Sequence, residues 1–225
     1  MSDSDSFISE VSEEVRRDQL YGYVRRYGWI AVACILLLVG GAAWTEFSKA
    51  RDRSAAESAG DAILAALAQD DTSARADALA EISLEGDAQI VASLLTAASL
   101  QEAGELGEAR ATLDAVATGA DVPDLYRDLA ALKSAMIDTG DNADARRQTL
   151  EALAVPGGTF ALLAQEQLAY LDIEAGETDA AVERLQAIAE DAGVTRGLRE
   201  RAQTLIVALG AEVDLPQGDA GLVTE

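Results

Sequence analysis

Three stretches, E-A-G-E-L-G-E-A (102–109), D-T-G-D-N-A-D-A (138–145) and E-A-G-E-T-D-A-A (174–181), repeat one pattern at one spacing. Gly104, Gly140 and Gly176 stand 36 residues apart, and each is followed five positions later by Ala109, Ala145 or Ala181. A fixed period of this size means one supersecondary unit stacked on its neighbours. Each glycine is expected at the end of a first helix, where a left-handed residue turns the chain. The alanine is expected where the second helix crosses the first closely. Leu113 and Leu185 then fill the next turn, followed by Val116, Ala152 and Ile188. Thr149 breaks the leucine column, and a small rotation of the helix brings in Leu150.

Outward from these turns, the spacing predicts helix pairs over 88–103 and 106–117, 123–139 and 142–154, and 159–175 and 178–191. Pro123, Pro156-Gly157-Gly158 and Gly193 punctuate the joins. A closing helix over 196–209 carries Arg196, Arg199, Glu200, Arg201 and Gln203 as the polar outer face that the end of a solenoid requires. Ahead of the clear repeats, 46–87 reads as a helical linker and a degenerate first repeat. Asp70-Asp71-Thr72-Ser73 supplies the break and the N-cap. Residues 210–225 read as a disordered tail.

The composition supports packed helices: Ala and Leu dominate, aromatics make up 4% of the chain, and there are three prolines in 225 residues. The net charge is −23, and from Ser54 onward 10 Arg+Lys face 32 Asp+Glu, a balance of −22. Such a surface repels phosphate backbones, which argues against nucleic acid.

The chain has no histidine and a single cysteine, Cys34, so the commonest general base, zinc ligand and disulfide chemistry are all missing. Gly40-Gly41 and Gly157-Gly158 lack the Lys-Ser/Thr of a phosphate loop. The sequence therefore predicts no catalytic residue, metal, cofactor or small-molecule substrate, and points to a protein-binding scaffold.

Residues 28–45, G-W-I-A-V-A-C-I-L-L-L-V-G-G-A-A-W-T, carry no charge. Eighteen helical residues rise about 27 Å, close to the hydrocarbon thickness of a bilayer. Trp29 and Trp44 bracket the run at the two interfaces. A cleaved signal peptide fits less well, because the preceding arm (1–27) is long and holds six acidic residues. Arg16, Arg17, Arg25 and Arg26 before the run, against Lys49, Arg51 and Arg53 after it, lean toward a cytoplasmic N-terminus. Within the arm, Phe7, Val11, Val15 and Leu20 suit either an amphipathic helix at the inner interface or a flexible arm that docks on a partner. The expected fold is all-α, with one N-terminal transmembrane helix followed by a helical-hairpin solenoid.

The glycine–alanine pattern resembles the tetratricopeptide repeat, whose period is 34. The 36-residue spacing departs from it, and Leu100, Met136 and Asp172 stand where that family carries tyrosine. The resemblance implies a concave groove lined by first helices, and position by position it puts Gln101, Glu102, Ser134, Asp138, Tyr170 and Glu174 there as partner-binding residues. F-I-S-E-V-S-E-E-V-R-R-D-Q-L (7–20) and R-R-Y-G-W (25–29), with the apolar run and the Ala-rich array, resemble a second family. These are the single-span, tetratricopeptide-like ancillary subunits of the SecYEG translocon, in their alphaproteobacterial form. That resemblance implies a bacterial inner-membrane protein with a cytoplasmic N-terminus and a periplasmic domain. It also implies work with Sec translocon subunits, a periplasmic chaperone and emerging secretory polypeptides. The alternative is a structural or assembly subunit of another inner-membrane complex with no client-binding role.

Overall fold

The computed structural model describes residues 3–140 and 142–212. The side chains of residues 1–24 and of Tyr27, Gly28, Ala31, Val32 and Ile35 lie outside the described residues. Of the expected disordered tail, 210–225, residues 213–225 lie outside them, as does the apolar spacing of the 1–27 arm, whereas Gly210 and Ala211 are held by backbone bonds to Val207 O and Ile206 O.

Among the described residues the chain is all helical: α1 (Asp3–Leu67), α2 (Thr72–Ala80), α3 (Asp87–Ala103), α4 (Leu106–Ala117), α5 (Asp124–Ala135), α6 (Ala143–Leu153), α7 (Ala161–Glu174), α8 (Thr178–Glu190) and α9 (Arg196–Ala208). It divides into two units, 1–58 and 59–225. The first is α1 up to Ser58. Its described side chains include the exposed run Leu36, Leu37, Leu38, Val39, Trp44 and Phe47. Among the described residues no helix is long and apolar enough to cross a membrane. The expected span at 28–45 includes Gly28, Ala31, Val32 and Ile35, four of the residues whose side chains are not described.

In the second unit each helix from α2 to α9 packs on its neighbours in the chain. Asp71 caps α2 by accepting from the Ala74 N–H at 2.8 Å, as the sequence break predicts. The core runs through the stack as three clusters. Ala97, Ala109, Leu113 and Ala130 lie in the first, Leu132, Leu150, Ala164 and Leu168 in the middle, and Ala169, Leu185, Ala202 and Ile206 in the last.

The outer turns form as the repeat predicts. Gly104 (φ 81°) donates to Gln101 O at 3.1 Å, and Glu105 N–H reaches back to Leu100 O at 2.9 Å. Gly176 (φ 78°) and Glu177 do the same to Ile173 O and Asp172 O, at 3.0 and 2.8 Å. These paired bonds satisfy the last carbonyls of α3 and α7. A third copy closes α9, where Gly210 (φ 83°) and Ala211 bond to Val207 O and Ile206 O.

The middle repeat departs from this. Its first helix ends at Ala135, not Thr139, because Ile137 leaves the helical path and turns into the core, where it is 2% exposed. The second helix begins three residues past Gly140, at Ala143, whereas α4 and α8 begin two past Gly104 and Gly176. The slip moves every inner position by one. Arg146, not Ala145, is buried in the place of Ala109 and Ala181, and Ala145 is exposed. Leu150 takes the place of Leu113 and Leu185, the substitution that the broken leucine column predicts. Leu153 packs in the column expected for Ala152, which is exposed.

Candidate functional site

The helix that gathers most chemistry is α7. Four residues before Gly176 stands Asp172, 1% exposed, in the place that Leu100 holds before Gly104. A carboxylate so placed loses its hydration and must be matched by cations and hydrogen bonds. Arg147 of α6 donates Nη1 to Asp172 Oδ1 at 2.7 Å, and Arg184 of α8 donates Nε to Oδ2 at 3.0 Å. The bond to Asp172 holds the Arg147 guanidinium above its ordinary pKa, against the opposing effect of its own desolvation.

A second buried acid, Glu166, is two turns earlier on the same helix. Arg201 of α9 grips it bidentately, Nε to Oε1 at 2.7 Å and Nη2 to Oε2 at 2.8 Å. Hydrogen bonding to Glu166 likewise raises the Arg201 pKa. Beside this pair, burial pushes the Tyr170 hydroxyl pKa upward, the Glu166 charge adds to the shift, and Arg201 opposes it. Through these bonds α6, α8 and α9 are all fastened to α7. Among the described residues no buried side-chain polar atom lacks a partner.

The residues expected to line a groove fall in several settings. Glu102 pairs with Arg75 of α2 at 2.9 Å, and Gln101 beside it is exposed. Ser134 is 5% exposed, and its hydroxyl donates to Asp114 Oδ1 of α4. Asp138 and Glu174 both approach the buried Arg146, at 3.7 and 3.4 Å, so this arginine bridges the middle and last repeats. Tyr170 is half-buried beside Glu166. The structure thus brings Asp138 and Glu174 together around one cation, and the other four lie outside that cluster.

Sequence reasoning missed Arg201 as a tie. It belongs to the Glu166 grip, while Arg196 and Glu200 pair with each other on the exposed side of α9. A charged residue directly after the Leu168–Leu171 apolar stretch was the available signal, because a buried Asp172 demands arginines on neighbouring helices.

A cleft of about 910 Å³ opens between the 154–159 loop, α7, α8 and the start of α9. None of the six expected groove residues lines it. Its apolar walls include Leu162, Leu163 and Leu198. The space exists because Gly157, Gly158, Ala161, Ala180 and Ala187 present little side chain. At Gly158 a Cβ would lie 3.1 Å from Val155 O and 3.2 Å from Leu153 O, tight enough that a larger residue would push the loop backbone by a few tenths of an ångström.

Arg184 forms the polar back of the cleft, its Nη1 donating to Gln165 Oε1 at 2.6 Å while its Nε is held by Asp172. Gln165 in turn donates to Ala154 O at 3.4 Å, which ties the loop to α7. Glu183 and Asp191 also line the cleft. Asp191 accepts from the Gly193 N–H at 2.7 Å, and neither carboxylate has a cationic partner among the described residues. The arrangement can hold an apolar chain with a positive group; no nucleophile–base pair lies among these residues.

No protein family, curated protein or solved structure matches the chain.

Proposed function

We propose that this protein is a membrane-anchored helical-repeat scaffold that binds polypeptides beside the Sec translocon. The N-terminus is cytoplasmic, residues 28–45 span the inner membrane, and the stack from α2 to α9 works in the periplasm with a chaperone and emerging secretory chains. The observation that carries the anchor is the exposure of large apolar side chains along one stretch of α1. Trp29 is 70% exposed, Leu37 77% and Trp44 74%, with Leu36, Leu38, Val39 and Phe47 exposed between and beyond them. Leaving so many large apolar groups in water is unfavourable, whereas lipid accepts them without cost. A helix also satisfies its own backbone within the bilayer.

The scaffold role is supported by a stack whose inner positions are packed and polar-satisfied, with a large open cleft on its last repeat. Assignment to the translocon is supported by the resemblance of 7–20 and 25–29 to its ancillary subunits.

Site-specific crosslinkers at Tyr170 and Glu102, activated in intact inner membranes, test the reading. Recovery of translocon subunits together with many different secretory chains is the expected result. A single fixed partner at both positions would replace it with a structural-subunit role. A reporter fused after Glu225 that works only in the cytoplasm would reverse the topology.

A further inference from the structure

We propose that the cleft on the last repeat binds a short polypeptide segment in which apolar side chains lie next to a lysine or arginine. This deepens, and rests on, the reading of the protein as a polypeptide-binding scaffold. The cleft is within the size range of sites that bury ligands, and its walls at Leu162, Leu163 and Leu198 are apolar. Such walls take aliphatic side chains and give up water on contact.

Charge decides which segment fits. Arg184, the one cation among the lining residues, is already engaged by Asp172 and Gln165. Glu183 at the rim has no ion-pair or hydrogen-bond partner for its carboxylate among the described residues, and Asp191 is met only by a backbone N–H. The lining therefore presents two carboxylates uncompensated by a free cation, on a domain whose balance from Ser54 onward is −22. An occupant bearing Lys or Arg gains an ion pair with the exposed carboxylates at the rim and is steered there, whereas an acidic segment is repelled. The chain's own residues 213–225 carry Asp214, Asp219 and Glu225 with no Lys or Arg, so their charge does not suit the cleft.

The test uses the full chain in zwitterionic nanodiscs, with empty nanodiscs as the lipid control. The probe is a fluorescent peptide of leucine and alanine with two lysines, read by anisotropy. A second peptide has the lysines replaced by glutamates. The lysine peptide is expected to bind and to weaken with salt. Glu183→Gln is expected to weaken it up to about five-fold, the effect of one exposed ion pair. Ala180→Trp, a substitution at an exposed rim position, is expected to block binding. Equal binding of the two peptides, or binding indifferent to both substitutions in proteins with wild-type circular dichroism melts, overturns the assignment. Should Ala180→Trp fail to fold, Glu183→Gln and the peptide pair decide. Crosslinks from Tyr170 and Glu102 that still recover translocon subunits while the peptide ignores both substitutions would sink the cleft and leave the scaffold reading standing. Peptide bound in the cleft with one fixed membrane partner would do the reverse.

Discussion

The turns at Gly104 and Gly176 are closed by backbone alone, and the turn at Gly140 is closed by side chains. In the first two, a left-handed glycine and the residue after it return their N–H groups to the preceding helix, and the next helix starts at once. At Gly140 the helix has already ended at Ala135. Instead Asn142 donates Nδ2 to Ile137 O at 2.9 Å and accepts from the Thr139 N–H at 3.2 Å, while Asp138 accepts from the Gly140 N–H at 2.8 Å. Arg146 donates to Ala135 O at 2.9 Å from the position that alanine holds elsewhere. A left-handed glycine is thus enough to turn the chain. Which residue enters the core afterwards depends on how many residues the turn consumes.

The leucine column gives the largest test of that difference. Leu150→Ala is expected to cost about 3 kcal/mol, the same as Leu113→Ala and Leu185→Ala, since all three are 1% exposed or less. Thr149→Ala, at the position the 36-residue ladder would align with them, is expected to stay within about 0.5 kcal/mol. Urea unfolding measures both, and a costly Thr149 with a cheap Leu150 would abolish the one-residue slip.

The alanine column comes next. Ala109→Leu and Ala181→Leu overpack sites that are 0% exposed and are expected to cost about 2 kcal/mol each. Ala145→Leu is exposed and is expected to be near neutral in the same measurement. A third, smaller contrast separates the turns themselves. Asn142→Ala orphans the Ile137 carbonyl beside a buried side chain and is expected to cost about 1.5 kcal/mol. Glu177→Ala, at the equivalent cap of the last repeat, makes no side-chain cap bond and is expected to change stability little.

The smallest effect concerns pH and the last repeat alone. The folded Tyr170 pKa is raised, so the contribution tied to its neutral hydroxyl is complete below the unfolded tyrosine value of about 10 and is lost as pH rises through the folded value. The wild type should therefore lose more melting temperature than Tyr170→Phe between neutral pH and pH values above that range. Parallel losses would mean that the Tyr170 hydroxyl titrates without consequence for the fold.

Much of the stack is legible in the sequence because its signals are local. Gly104 and Gly176 mark the ends of α3 and α7, Asp71 caps α2, and Leu150 announces itself as the replacement for Thr149. The middle repeat is not legible by spacing, because Gly140 keeps the ladder's period while Ile137 takes the helix apart ahead of it. The expected groove residues were placed by analogy of position, and position does not tell which neighbour an acid will meet. Glu102 finds Arg75, Asp138 and Glu174 find Arg146, and Ser134 finds Asp114. The cleft was illegible for a different reason: its walls come from four separate segments, and its volume comes from side chains that are small.

The sequence by itself determined the repeat, the all-helical class, the left-handed turns and the uncharged run at 28–45, since each depends on residues a few positions apart. The tertiary structure alone decided that Arg146 replaces an alanine, that Asp172 and Glu166 are buried under arginines from three other helices, and that Glu183 stands unpaired at an apolar cleft. Those outcomes depend on which helices are brought side by side. A charge's partner is set by distance in space, and the chain's local pattern does not encode it.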